Sequence, residues 1–133
     1  QEWLVSAALL LIARQLATAP DDGRYGRQQR QLSRLRTLIE ANFLEHWKVG
    51  EYAAAMGMTE ARLNRLARAV SGKSAFELIQ DRLMLEARRK LIYVAAPISA
   101  LAYELGFEDP AYFSRCFKNR FGVTPSAFRR ELE

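Results

Sequence analysis

A chain of 133 residues with 20 lysines and arginines against 15 acidic residues carries a net charge of +5 and a pI near 9.7. It is long enough to bury a real core, as one domain or two small subdomains, and its moderate basic excess favours an acidic partner such as DNA or a lipid surface. A single cysteine, Cys116, excludes an internal disulfide, and with the lone histidine, His46, far from it in sequence, neither a metal centre nor Cys/His catalysis is expected.

Residues 1–18 hold the most apolar run, WLVSAALLLIA from Trp3 to Ala13. It is shorter than the roughly 20 apolar residues that a membrane-spanning helix needs, and Arg14 follows at once, so no membrane segment is expected. A helix apolar around much of its circumference needs a covering surface: an upstream portion of polypeptide, a second copy forming a homodimer, or its own chain. A start at Gln1 suggests part of a longer polypeptide. Residues 19–27, APDDGRYGR, gather proline, glycine and charge and read as a linker. From Gln28 to Trp47 the spacing predicts a long amphipathic helix, with Leu32, Leu35, Leu38, Ile39, Phe43 and Trp47 inward and Arg30, Arg34 and Arg36 on the polar sides.

That helix opens a first helix-turn-helix subdomain over residues 28–73. Val49, Tyr52, Ala53 and Met56 lead into a turn at Gly57. Thr59 is then expected to cap a second helix with Leu63, Leu66 and Val70 inward and Arg62, Asn64, Arg65 and Arg68 on its outer surface. A linker helix over residues 74–92, capped by Ser74, is expected to bury Phe76, Ile79, Leu83, Ala87 and Leu91; at 1.5 Å per residue it spans roughly 27 Å.

Residues 93–133 repeat the first subdomain. Val49, Tyr52, Ala53, Met56 and Gly57 match Ile98, Leu101, Ala102, Leu105 and Gly106 at a constant offset of 49, and Leu63, Arg65, Gly72, Ser74 and Leu78 match Phe113, Arg115, Gly122, Thr124 and Phe128 at an offset of 50. In this copy the glycine at 106 lets a helix stop abruptly, Asp109 caps the next one and Pro110 suits its first position. Phe113, Phe117 and Phe121 then lie on one side, leaving Ser114, Arg115 and Lys118 outward. Gly122 ends that helix, and Thr124 with Pro125 starts a last short one carrying Phe128. The fold class is therefore all-α: two helix-turn-helix subdomains joined by a long linker helix, preceded by an extra apolar helix.

The run ISALAYELGFEDPAYFSRCFKNRFGVTPSAFR, with AAAMGMTEARLNRLARAVSGKSAFELI before it, resembles the DNA-binding domain of the AraC/XylS family of bacterial transcription regulators, over roughly Leu35 to Arg129. The sequence departs from that pattern at Ala67, where phenylalanine is usual, and at Ala75, where proline is frequent. The resemblance implies a seven-helix DNA-binding domain in an activator that contacts RNA polymerase and carries a separate sensing or dimerisation portion upstream, and the lack of a disulfide framework and of a secretory signal fits a reducing cytoplasm. A loose likeness to regulators of aromatic-acid catabolism suggests a small aromatic acid as effector. The family pattern carries base contact onto Asn64 and Arg65, with Ala61 at the groove-facing start of the helix, and onto Ala111, Ser114 and Arg115 in the second copy.

Chemistry gives these positions roles. Arg65 and Arg115 can each offer paired donors to a guanine edge, Asn64 can read adenine, and the small Ala61 and Ala111 can touch a thymine methyl. Arg62, Arg68, Lys118 and Arg120, with the helix starts at Thr59 and Thr124, are expected on phosphates. The competing reading is a helical module that binds a protein partner through apolar surfaces, its basic face merely solvated. An enzyme is disfavoured, because no nucleophile, metal cluster or phosphate-binding glycine loop is visible.

Overall fold

The computed structural model describes residues 22–133, within which the chain forms α1 (Asp22–Asn42), a 3₁₀ turn (Phe43–Glu45), α2 (Val49–Ala55), α3 (Glu60–Ser71), α4 (Ala75–Tyr93), α5 (Ile98–Glu104), α6 (Pro110–Phe121) and α7 (Pro125–Leu132). The apolar helix expected over residues 1–18 lies outside the described residues.

The internal repeat holds down to single hydrogen bonds. α2 ends with the Met58 N–H donating to the Ala53 carbonyl, and α5 ends with the Phe107 N–H donating to the Ala102 carbonyl, each bond 3.0 Å long. The intervening glycines have the left-handed backbone that closes such an end, with φ of 68° at Gly57 and 91° at Gly106. All four expected caps form: Thr59, Ser74 and Thr124 each accept from the backbone N–H three residues on, and Asp109 from the N–H of Ala111. Pro110 and Pro125 occupy the first turns of their helices, where a missing N–H is harmless.

Two cores result. Leu32, Leu35, Ile39, Phe43, Tyr52, Leu63, Leu66, Ala67 and Ile79 belong to the first. Met84, Ala87, Leu91, Leu101, Leu105, Phe107, Phe113 and Phe117 belong to the second, where Phe121 and Phe128 close an aromatic cluster around Phe117. Leu83 packs against both. Because α4 has 19 residues, it covers about 28 Å from one core to the other.

Three expectations need correction. Residues 22–27 belong to α1 instead of a linker: Gly23 and Gly26 weaken the helix by roughly 1 kcal/mol each relative to alanine, too little to break it. The same helix stops at Asn42, short of Trp47; Phe43 is carried inward by the 3₁₀ turn, which ends at His46 in a left-handed conformation with φ 61°. Phe76 is half exposed, not inward. The buried positions at the start of α4 are Ala75, Leu78 and Ile79, a face from which Phe76 is rotated by about 100°.

Contacts beyond the apolar cores join the two halves. His46 Nε2 lies 3.0 Å from the carbonyl of Glu104, and its imidazole sits against Gly106 so closely that a Cβ there would fall 2.6 Å from Cδ2. Arg82 pairs with both carboxylate oxygens of Glu40 at 2.7 and 3.0 Å and stacks 4.0 Å from the Phe43 ring centroid, fixing α4 on α1. The hydrogen bond from Arg82 holds the Glu40 carboxyl below the ordinary carboxylate range. The buried carboxylate of Glu86 is matched by Arg82 and Arg89.

These contacts set two expected outcomes in urea unfolding. Phe117→Ala lowers stability by about 3–5 kcal/mol, the range for emptying a buried phenylalanine site, whereas Phe76→Ala costs less than about 1 kcal/mol. Gly106→Ala destabilises by more than about 1 kcal/mol, because the left-handed backbone and the imidazole both oppose a Cβ. Combining it with His46→Ala recovers the steric part of that loss and leaves the backbone part; simple additivity of the two changes would show that the ring does not press on Gly106.

Candidate nucleic-acid interface

The second helix of each unit is set by its cap and its apolar face, and what remains outward is the candidate surface. On α3, Leu63, Leu66 and Ala67 are buried, leaving Ala61, Arg62, Arg65 and Arg68 exposed. On α6, the burial of Phe113 and Phe117 leaves Ala111, Arg115 and Lys118 exposed, with Ser114 half-buried beside them. The Arg115 guanidinium lies 5.7 Å from the Tyr112 ring centroid, within cation–π distance. Among the described residues, none of Arg62, Arg65, Arg68, Arg115 and Lys118 has a carboxylate partner within 4 Å.

The N-terminal ends of α3 and α6 open onto one cleft of about 870 Å³, lined by Glu60 from the first, Asp109, Tyr112 and Arg115 from the second, and Phe76 from α4. Both ends therefore present themselves on the same side of the linker helix. Thr59, at the exposed start of α3, and Thr124, half-buried at the start of α7, use a hydroxyl lone pair for the cap and keep the hydroxyl proton as a donor.

Two expected contact residues have other partners. Arg120 reaches back to α4, its Nε 3.4 Å from Asp81, and lies over the Phe121 ring. Asn64 is half-buried, its Oδ1 accepting from the Ala75 N–H at 3.1 Å.

Several residues that shape this surface were missed by sequence reasoning. Gly50 leaves room for Glu60, whose Oε1 lies 2.6 Å from where a Cβ would be, so α2 closes on the first turn of α3. Tyr112 and Phe76 line the cleft walls, and His46 holds the turn at Gly106. Each depends on a partner distant in sequence, and only the glycines left a local trace.

A family model described as a helix-turn-helix domain matches residues 52–131. The chain is 34% identical over 96 residues to the virulence regulon transcriptional activator VirF of Yersinia enterocolitica, a match covering 72% of this chain and 35% of that protein. It is 32% identical over 101 residues to the HTH-type transcriptional regulator ExsA of Pseudomonas aeruginosa, covering 76% of this chain and 36% of the relative. The chain thus spans about a third of the length of these curated relatives. Among solved structures, an AraC-type transcriptional regulator from Chromobacterium violaceum superposes with a TM-score of 0.72 at 24% identity, covering 80% of this chain and 96% of that one, a likeness of fold. With its two capped helix-turn-helix units on one linker helix and a family match over most of its length, the chain belongs to the AraC/XylS family of helix-turn-helix transcription regulators.

Proposed function

We propose that this chain binds double-stranded DNA in a sequence-specific manner as part of a transcription activator, placing α3 and α6 in successive major grooves. The observation that carries the reading is the repeat-related pair Arg65 and Arg115, both exposed and without carboxylate partners among the described residues, on capped helices held by one continuous helix. The roughly 28 Å of α4 falls short of the roughly 34 Å between successive groove faces, and the radii of the two units supply the difference. Two units in one chain need no symmetric partner to read an extended, non-palindromic site.

Arg65 and Arg115 each read a guanine through O6 and N7, while Ser114 reads a neighbouring base edge and Ala61 and Ala111 lie against thymine methyls. Arg62, Arg68 and Lys118, with the hydroxyls of Thr59 and Thr124, hold phosphates. Arg120, whose Nε faces Asp81, joins them through its remaining N–H donors. Contact with RNA polymerase, response to a small aromatic acid and pairing through the apolar stretch Trp3–Ala13 complete the reading as expectations from the family.

Substitution separates the two kinds of contact. Arg115→Ala relaxes preference at one base pair by about 1–3 kcal/mol, whereas Lys118→Ala weakens binding to all sequences alike and reduces the salt slope by about 1. Titrating both variants against matched and mutated duplexes at several salt concentrations measures this, and equal losses in both variants would reject the assignment. Salt-insensitive binding to a helical peptide, with no duplex preference, would instead support the adaptor reading.

A further inference from the structure

The internal repeat provides a control inside the chain for one residue of the recognition surface. Asn64 and Ser114 occupy the same position in α3 and α6, and eleven residues further on the linker helix α4 begins with Ala75 where α7 begins with Pro125. Ala75 has a backbone N–H at the first position of its helix, completely buried, and Pro125 has none. The start of α4 therefore has one more donor to satisfy than the start of α7. Ser74 serves the N–H of Glu77 and is matched by Thr124 serving that of Ala127. The N–H of Ala75 has no counterpart in the second unit, and the Oδ1 of Asn64 accepts it at 3.1 Å. Because the partner is a backbone donor, it must face the oxygen of the carboxamide, and the orientation of that group is settled.

A bidentate contact with adenine needs both the oxygen and the nitrogen of a carboxamide edge turned into the groove. The oxygen of Asn64 is turned the other way, toward α4. We propose that Asn64 is a positioning residue that ties α3 to the first turn of α4, so that base reading in the first half-site falls to Arg65. Ser114, released by the proline at 125, contributes directly in the second half-site, and the two half-sites are read with unequal chemistry. The clamp stands on geometry alone; the division of base reading rests on the DNA-binding function proposed above.

The test is a cycle of variants in the 133-residue chain: Asn64→Ala, Ala75→Pro, and the two together. Proline suits the first position of α4, because Ser74 is already extended with φ −70° and ψ 162°, as a residue before proline must be. Asn64→Ala lowers Tm by roughly 5 °C, the effect of orphaning one buried N–H in a domain of this size. In the Ala75→Pro background, where no N–H remains, the same change costs less than about 2 °C. Equal losses in both backgrounds would overturn the clamp. Should the proline variant fail to fold, Asn64→Asp serves the same purpose, since it keeps the acceptor. It retains the Tm and the slow hydrogen exchange of the Ala75 amide, both lost in Asn64→Ala; exchange unchanged in Asn64→Ala would overturn the clamp.

Selection from randomised duplexes reads the second half of the proposal. Asn64→Ala leaves the base preferences of the first half-site in place, Arg65→Ala removes one, and Ala75→Pro frees Asn64 to add a preference for adenine that the double variant loses. Loss of one base preference in Asn64→Ala with Tm unchanged would make Asn64 a direct reader and overturn the proposal. If the parent chain selects no sequence, the DNA-binding reading fails together with the division of base reading, while the thermal cycle decides the clamp independently.

Discussion

Helix α4 is buried in two separate places along its length, and the relation between α3 and α6 depends on that. Its N-terminal half gives Ala75, Leu78 and Ile79 to the first core, its C-terminal half gives Met84, Ala87 and Leu91 to the second, and Leu83 touches both. Successive residues on a helix are rotated by about 100°, so the phase of one buried stripe dictates the direction of the other. The two units are oriented by one backbone, without a hinge. Asp81 strengthens the arrangement by pairing with Lys73 before the helix and Arg120 on α6, and His46 reaches from the 3₁₀ turn of the first unit to the glycine turn of the second.

The two units have the same backbone and different interiors. In the second, Phe113, Phe117, Phe121 and Phe128 pack edge to face or tilted, with neighbouring centroids 4.8 to 6.1 Å apart, so the core is closed by side chains of α6 and α7. The first has Ala67 where the second has Phe117, both fully buried. Its missing volume comes from outside the repeat: Leu32, Leu35 and Ile39 of α1 lie in the same cluster as Ala67, and α1 packs across α3. The departure from the family pattern at Ala67 is thus matched by a helix that the second unit does not have.

What could be read from the sequence is what is decided within one turn of helix. Thr59, Ser74, Asp109 and Thr124 cap as expected because a cap needs only a short polar side chain and an N–H two or three residues on. The glycine turns and the phenylalanine stripe of α6 follow from equally local rules. The exposure of Phe76 depends on the phase that Ala75, Leu78 and Ile79 set for α4, which the size of the side chain does not reveal. The contact surface divides the same way: the exposure of Arg65 and Arg115 follows from helical periodicity. The Arg120 pair with Asp81 and the Asn64 bond to Ala75 cross between elements, and no periodicity encodes them. A partial clue to the second was visible, since an alanine in place of the frequent proline brings a donor that must be satisfied.

Pairing of charges within the chain decides where its basic excess can act. On α4, Arg82, Arg89 and Lys90 have carboxylate partners in Glu40, Glu86 and Glu104, and Arg120 of α6 shares Asp81 with Lys73. A paired cation presents less field to a phosphate than an unpaired one, because the neighbouring carboxylate offsets its charge. Arg62, Arg65 and Arg68 on α3, and Arg115 and Lys118 on α6, have no such partner among the described residues, so no neighbouring carboxylate offsets their charge. At physiological ionic strength charges are screened over about 8 Å, so only cations close to the duplex contribute to its attraction. The position of the unpaired cations on the two helices that rise from one cleft therefore says more about the partner than the net charge of +5 does.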